Sequence, residues 1–132
     1  MFHVQDQDYA ILTAEISKAT FGITPSEYKR FKSLPVKSSV NLRDHMTDME
    51  LIFTMLGERV TTEISATEKP ETFEKSKKVA KRGGHVAGTA RKETEKELGR
   101  SIMSSENYTL LPPVKQIKRS MKIKTSKKVK HP

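Results

Sequence analysis

From Asn41 to Ile64 the chain reads NLRDHMTDMELIFTMLGERVTTEI, and no other stretch restricts the possible folds as tightly. Leu42, Met46, Met49, Phe53, Leu56, Val60 and Ile64 recur at steps of 4, 3, 4, 3, 4 and 4, which is one apolar stripe of an α-helix. Thr47 followed three residues later by Glu50 forms a capping box, and Met46 with Leu51 forms a hydrophobic staple, so the helix is expected to begin at Asp48. Leu51, Ile52 and Met55 widen the stripe towards a second face. That predicts a helix buried on more than one side, the central element of a small bundle.

The segments before it carry their own punctuation. Tyr9, Leu12, Ile16 and Ala19 share one helical face over Asp8 to Ala19, with Asp6 or Asp8 able to cap and Gly22 placed to terminate. Thr24 as N-cap, Pro25 at the first helical position, Glu27 closing a capping box and Ile23 stapled to Tyr28 open a second helix. It is expected to run to about Lys32 and stop before Pro35, because the residue before a proline is pushed out of the α region. Val36 to Val40 reads as a loop, and Asn41 can cap a single turn ahead of the main helix.

After a break at TEKPE, Glu71 to Leu98 reads as a second long helix ended by Gly99. Phe73, Ala80, Ala87 and Thr94 fall seven apart, and Gly83, Gly84, Gly88 and Ala90 fill the neighbouring positions, so one face consists of the smallest side chains. Two adjacent glycines cost about 1 kcal/mol each in a helix interior. Either the helix breaks at Gly83 and Gly84, or another backbone packs closely against Gly83, Gly84, Ala87 and Gly88. The period persists across the glycines, which favours close packing. Beyond Arg100 periodicity fades: Ile102 with Met103 and Leu110 with Leu111 are short apolar pairs expected to dock back on the bundle.

Only 34% of the 132 residues are apolar, 6% are aromatic and Trp is absent, so the core must be small and built from aliphatic side chains, as in helix packing. The absence of Cys removes disulfides, thiol catalysis and thiolate metal sites. No run of 18 apolar residues and no signal-peptide pattern is present, which leads us to expect a cytoplasmic protein without membrane partners. His3, His45, His85 and His131 lack the paired spacing of a helical metal site, so neither metal nor cofactor is expected. Asp48 with Glu50, and Glu93, Glu95 and Glu97, lie two apart and point to different faces, which does not suit general acid and base work. The GGHVAG segment lacks the spacing of a phosphate-binding loop.

The formal net charge of +9 is unevenly distributed. Residues 107–132 hold Lys115, Lys118, Arg119, Lys122, Lys124, Lys127, Lys128 and Lys130 and no acid, which leaves 17 bases against 16 acids, or +1, for the rest. The second long helix adds Lys77, Lys78, Lys81, Arg82, His85 and Lys92 on the side opposite its small face, with few acids between Lys75 and Lys92. A solvated outer face accounts for such a helix alone. Together with the tail it forms a candidate nucleic-acid surface making phosphate contacts, which confer affinity and salt sensitivity without sequence reading.

EISKATFGITPSEYKRFKSL, NLRDHMTDMELIFTMLGERVTTEI and AKRGGHVAGTARKETEKELGR, followed by SSENY, together resemble the C-terminal half of the bacterial damage-inducible protein D family, in the same order, over Tyr9 to Tyr108. The resemblance implies a non-enzymatic cytoplasmic protein of the DNA-damage response that acts on recombinase filaments on single-stranded DNA. It also implies that the Bro-type, antirepressor-like N-terminal domain of the family is missing here. The expected architecture is an all-α bundle of about four helices over residues 7–108 with a disordered basic tail over 109–132. The expected partners are nucleic acid and a recombinase filament. The alternatives are a self-association module that dimerises through the small-residue helix, and a truncated antirepressor-like protein without independent activity.

Overall fold

A computed structural model describes residues 6–106, and the tail beyond lies outside the described residues. The described chain is all α-helical: α1 (Asp6–Phe21), α2 (Pro25–Phe31), a single 3-10 turn (Leu42–His45), α3 (Asp48–Glu68) and α4 (Phe73–Leu98). Each boundary has a local cause. Thr24 accepts from Glu27 N while Glu27 accepts from Thr24 N, and Thr47 does the same with Glu50, so both capping boxes close at the expected residues. Asn41 caps the 3-10 turn through Arg43 N, and Thr72 caps α4 through Lys75 N. Gly22 and Gly99 adopt φ of 83° and 70° and end α1 and α4.

The end of α2 has a cause beyond Pro35. Ser33 takes the left-handed conformation (φ 59°), the Leu34 N–H donates to Lys29 O at 2.8 Å, and the Ser33 N–H donates to Arg30 O at 3.0 Å. This is a Schellman cap, and Leu34, the residue after the left-handed one, is buried. α1 starts at Asp6, two residues before the expected position, and its face is rotated from the one the sequence suggests. Tyr9 is 60% exposed, whereas Thr20 and Phe21 are buried.

α4, rather than α3, is the central element. It packs extensively along both α1 and α3, while α1 and α3 touch each other far less. Ile52 and Met55 of α3, expected to form a second buried face, are more than half exposed. The reason is steric. α4 runs unbroken through its glycines, and its small face lets two helices approach on adjacent sides. A Cβ added at Gly84 would lie 2.6 Å from Ile16 O and 2.7 Å from the Ala19 Cβ, and one at Gly88 would lie 2.4 Å from Ala19 O. At Gly83 it would lie 2.7 Å from Thr61 N. Thr20 Oγ1 donates to Gly84 O at 3.3 Å and Arg91 Nε to Thr20 O at 2.7 Å, so polar bonds fasten α1 where no large side chain fits.

The larger side chains gather at the other end. Phe21, Tyr28, Met46, Phe53 and Ile102 form the core cluster, with Ile23, Leu42, Met49, Leu51, Leu56, Ala90 and Met103 around it. Phe21 and Tyr28 meet edge to face at 5.1 Å. Ile102 and Met103 thus return the chain to the bundle after α4, while Leu110 and Leu111 lie outside the described residues. Glu95 holds this return by accepting from Ile102 N at 2.9 Å and Arg91 Nη1 at 2.7 Å. Burial pushes its carboxyl upward, but the Ile102 amide, the bond and charge of Arg91 and the Ser101 hydroxyl together outweigh burial and keep it below the ordinary carboxylate value.

Beside the core lies a buried polar cluster. Lys32 and Glu50 have fully buried side chains and pair at 2.8 Å. Lys32 Nζ also donates to Ser104 O at 2.6 Å and Glu106 O at 2.9 Å. Glu50 accepts from Thr47 N at 2.9 Å, Ser104 N at 3.2 Å and the Tyr28 hydroxyl. Among the described residues no buried side-chain polar atom lacks a partner.

Gly84→Ala is expected to destabilise the fold by about 1 to 3 kcal/mol through overpacking, although α4 is continuous there. A helical position with room for a methyl would instead gain about 0.4 to 1 kcal/mol. Urea melts give the sign. Burial, reinforced by the adjacent Glu50, raises the Tyr28 hydroxyl far above its ordinary value of about 10. Above about pH 10 the unfolded chain therefore releases a proton that the folded chain keeps, so this contribution is complete below that pH and falls as pH rises. The stability difference between the parent and Tyr28→Phe should shrink in denaturant melts taken above about pH 10, and a constant difference would refute the assignment.

Candidate nucleic-acid interface

Residues 75–92 of α4 contain Lys75, Lys77, Lys78, Lys81, Arg82, Arg91 and Lys92 and no acid. Because α4 gives its small face to α1 and α3, most of these cations must stand on the remaining arc. Lys75, Lys78, Lys81, Arg82, His85 and Lys92 are exposed. Arg91 is not among them, since it is tied to Thr20 O and Glu95.

The cations expected from the sequence are not equivalent. Arg82 makes a bidentate pair with Glu68 at the end of α3, both oxygens at 2.7 Å. This bond draws the Glu68 carboxyl below its ordinary value and the Arg82 guanidinium above its own. Lys81 lies 3.9 Å from Glu15 of α1, and Lys77 sits 5.9 Å from the centre of the Phe73 ring. Lys78 and Lys92 have no ion pair among the described residues. Lys92 adjoins an acidic end of the helix, where Glu93, Glu95 and Glu97 follow within five residues. The tail cations, from Lys115 to Lys130, lie outside the described residues.

Two clefts flank Arg82. One, of about 750 Å³, opens between α1 and α4 and is lined by Glu15, Lys18, Ala19, Ile64, Lys81, Arg82, His85 and Val86. The other, of about 360 Å³, lies at the α3–α4 junction among Glu68, Lys69, Pro70, Glu71, Lys75, Lys78, Val79 and Arg82. Lys18, Lys69 and Lys75 join the surface from outside the set chosen from sequence. Lys18 stands three residues after Glu15 on a different helix, and only the close α1–α4 approach at Gly84 and Gly88 brings it to the α4 cations. A third cleft, of about 390 Å³, is bordered by Ile16, Phe21, Leu42 and Met46 of α1, the 3-10 turn and the loop after it, with the Arg43–Glu58 pair beside it.

Gly83, Gly84, Ala87 and Gly88 are buried between α4 and its two neighbours. Self-association through that face would have to displace α1 or α3. Among the described residues no group of three or more His, Asp or Glu could hold a metal, and no helix is long and apolar enough to cross a membrane. Compared with protein-family models, with curated proteins and with solved structures, the chain matches none.

Proposed function

We propose that this chain is a non-enzymatic binding protein that engages nucleoprotein through phosphate contacts, and that its setting is the bacterial DNA-damage response. The carrying observation is the segregation of charge: eight cations and no acid in residues 107–132, and an acid-free basic run over 75–92 whose cations mostly face outward. Cations concentrated in this way release counterions from a nucleic-acid backbone, a gain that needs neither a pocket nor a base-reading helix. The resemblance of the three sequence segments to the damage-inducible protein D family supplies the biological setting and the candidate partner, a recombinase filament on single-stranded DNA.

The test is salt-dependent binding of a labelled oligonucleotide by the full chain and by a chain lacking residues 114–132. Each lost phosphate contact removes about 0.9 from the salt slope on duplex DNA and about 0.7 on single strands. The deletion, which removes all eight tail cations, should flatten the slope strongly. Unchanged affinity and slope would remove the tail from the reading.

A further inference from the structure

The cations of α4 do not form a uniform track along its axis. Its acid-free run ends at Lys92, and beyond it the exposed Glu93 and Glu97 flank Lys96, with Glu93 paired to Lys96 at 3.5 Å, so the excess of positive charge ends there. At the other end Arg82 lines both the α1–α4 cleft and the α3–α4 junction cleft, so the two concavities share a wall. Lys18 and Lys81 border the first cleft and Lys75 and Lys78 the second. Of the three acids that line the clefts, Glu68 is occupied by Arg82 on both oxygens and Glu15 lies 3.9 Å from Lys81, while the exposed Glu71 of the second cleft makes no ion pair among the described residues.

We propose that a nucleic-acid strand crosses α4 at Lys81 and Arg82, seated between Lys18 of α1 on one side and Lys75 and Lys78 on the other, rather than running along the helix to Lys92. The inference rests on the reading that this chain binds nucleic acid, and it names which body residues touch phosphate. Arg82, already committed to Glu68, serves mainly as the shared wall. Lys18, on a different helix from the other cations, is the discriminating residue. It belongs to the crossing path and has no place in an axial one.

The experiment compares full-length parent, Lys18→Glu, Lys75→Glu and Lys92→Glu by fluorescence anisotropy with a labelled single strand and with its duplex, between about 50 and 200 mM salt. All three side chains are exposed, and thermal melts check that each variant keeps the fold. The crossing path predicts that Lys18→Glu and Lys75→Glu each weaken binding several-fold, with the slope lowered by about 0.7 on the single strand, while Lys92→Glu changes little. Binding by the parent with Lys18→Glu silent, or with Lys92→Glu equally damaging, overturns the crossing path and leaves the broader reading standing. A parent chain that binds neither probe overturns both.

Discussion

Glu50 is where the helices and the returning chain are joined. Its carboxylate accepts from Thr47 N, from Lys32, from Ser104 N and from the Tyr28 hydroxyl. One side chain therefore caps α3, holds both the interior and the end of α2, and fixes the segment after α4. In an ordinary capping box the glutamate reaches back to the N-cap amide from a solvated position. Here the same reach is made in the interior, where an uncompensated carboxylate would cost several kcal/mol. Lys32 supplies the opposite charge, and the main-chain carbonyls of Ser104 and Glu106 accept the other hydrogen bonds of its ammonium. Such a cluster adds little net stability compared with an apolar replacement. Removing a single member is expensive, because it strands the others. The cluster defines where each element must sit.

The other constraint is the small face of α4. A chain with only 34% apolar residues cannot fill a wide core, so close backbone approach replaces side-chain volume at the α1–α4 and α3–α4 contacts. The two constraints divide the bundle. The middle of α4 is held by glycine and alanine contacts, and the region around α2 and the α3 N-terminus by Phe21, Tyr28, Met46, Phe53 and Ile102. Burying the small face also pushes the cations of α4 outward and draws Lys18 in beside them.

The starts of α2, the 3-10 turn and α3 were legible because caps act locally: Thr24, Asn41 and Thr47 each find their partner within three residues, whereas α1 begins two residues before its expected start and α4, capped by Thr72, two residues after. The close packing of α4 was legible because a small-residue period has few other uses. Long-range facts were not. Ile52 and Met55 look like core by periodicity, yet no element of the described chain covers them, and a single helix's pattern cannot say how many neighbours it has. The burial of Glu50 and Lys32 was hidden for the same reason. Their residue types are usually solvated, and their partners come from 18 residues away in the pair itself and from 54 to 74 residues away in the returning chain. At the surface, charge composition marked the α4 cations, but the commitment of Arg82 to Glu68 and the arrival of Lys18 depend on the packing of helices.

The claim that the buried cluster fixes the returning segment is tested most directly by amide hydrogen exchange at Ile102 and Ser104 in the parent and in Lys32→Met, a variant that keeps the stem volume and removes the ammonium. The account predicts that the Ser104 amide, donated to Glu50, loses protection by at least about tenfold, and that Ile102, still held by Glu95, loses less. Amides in the middle of α4, around Gly84, should then retain protection up to the new global limit. Equal protection of Ser104 in both proteins would contradict the account and show that the segment stays in place without the cluster.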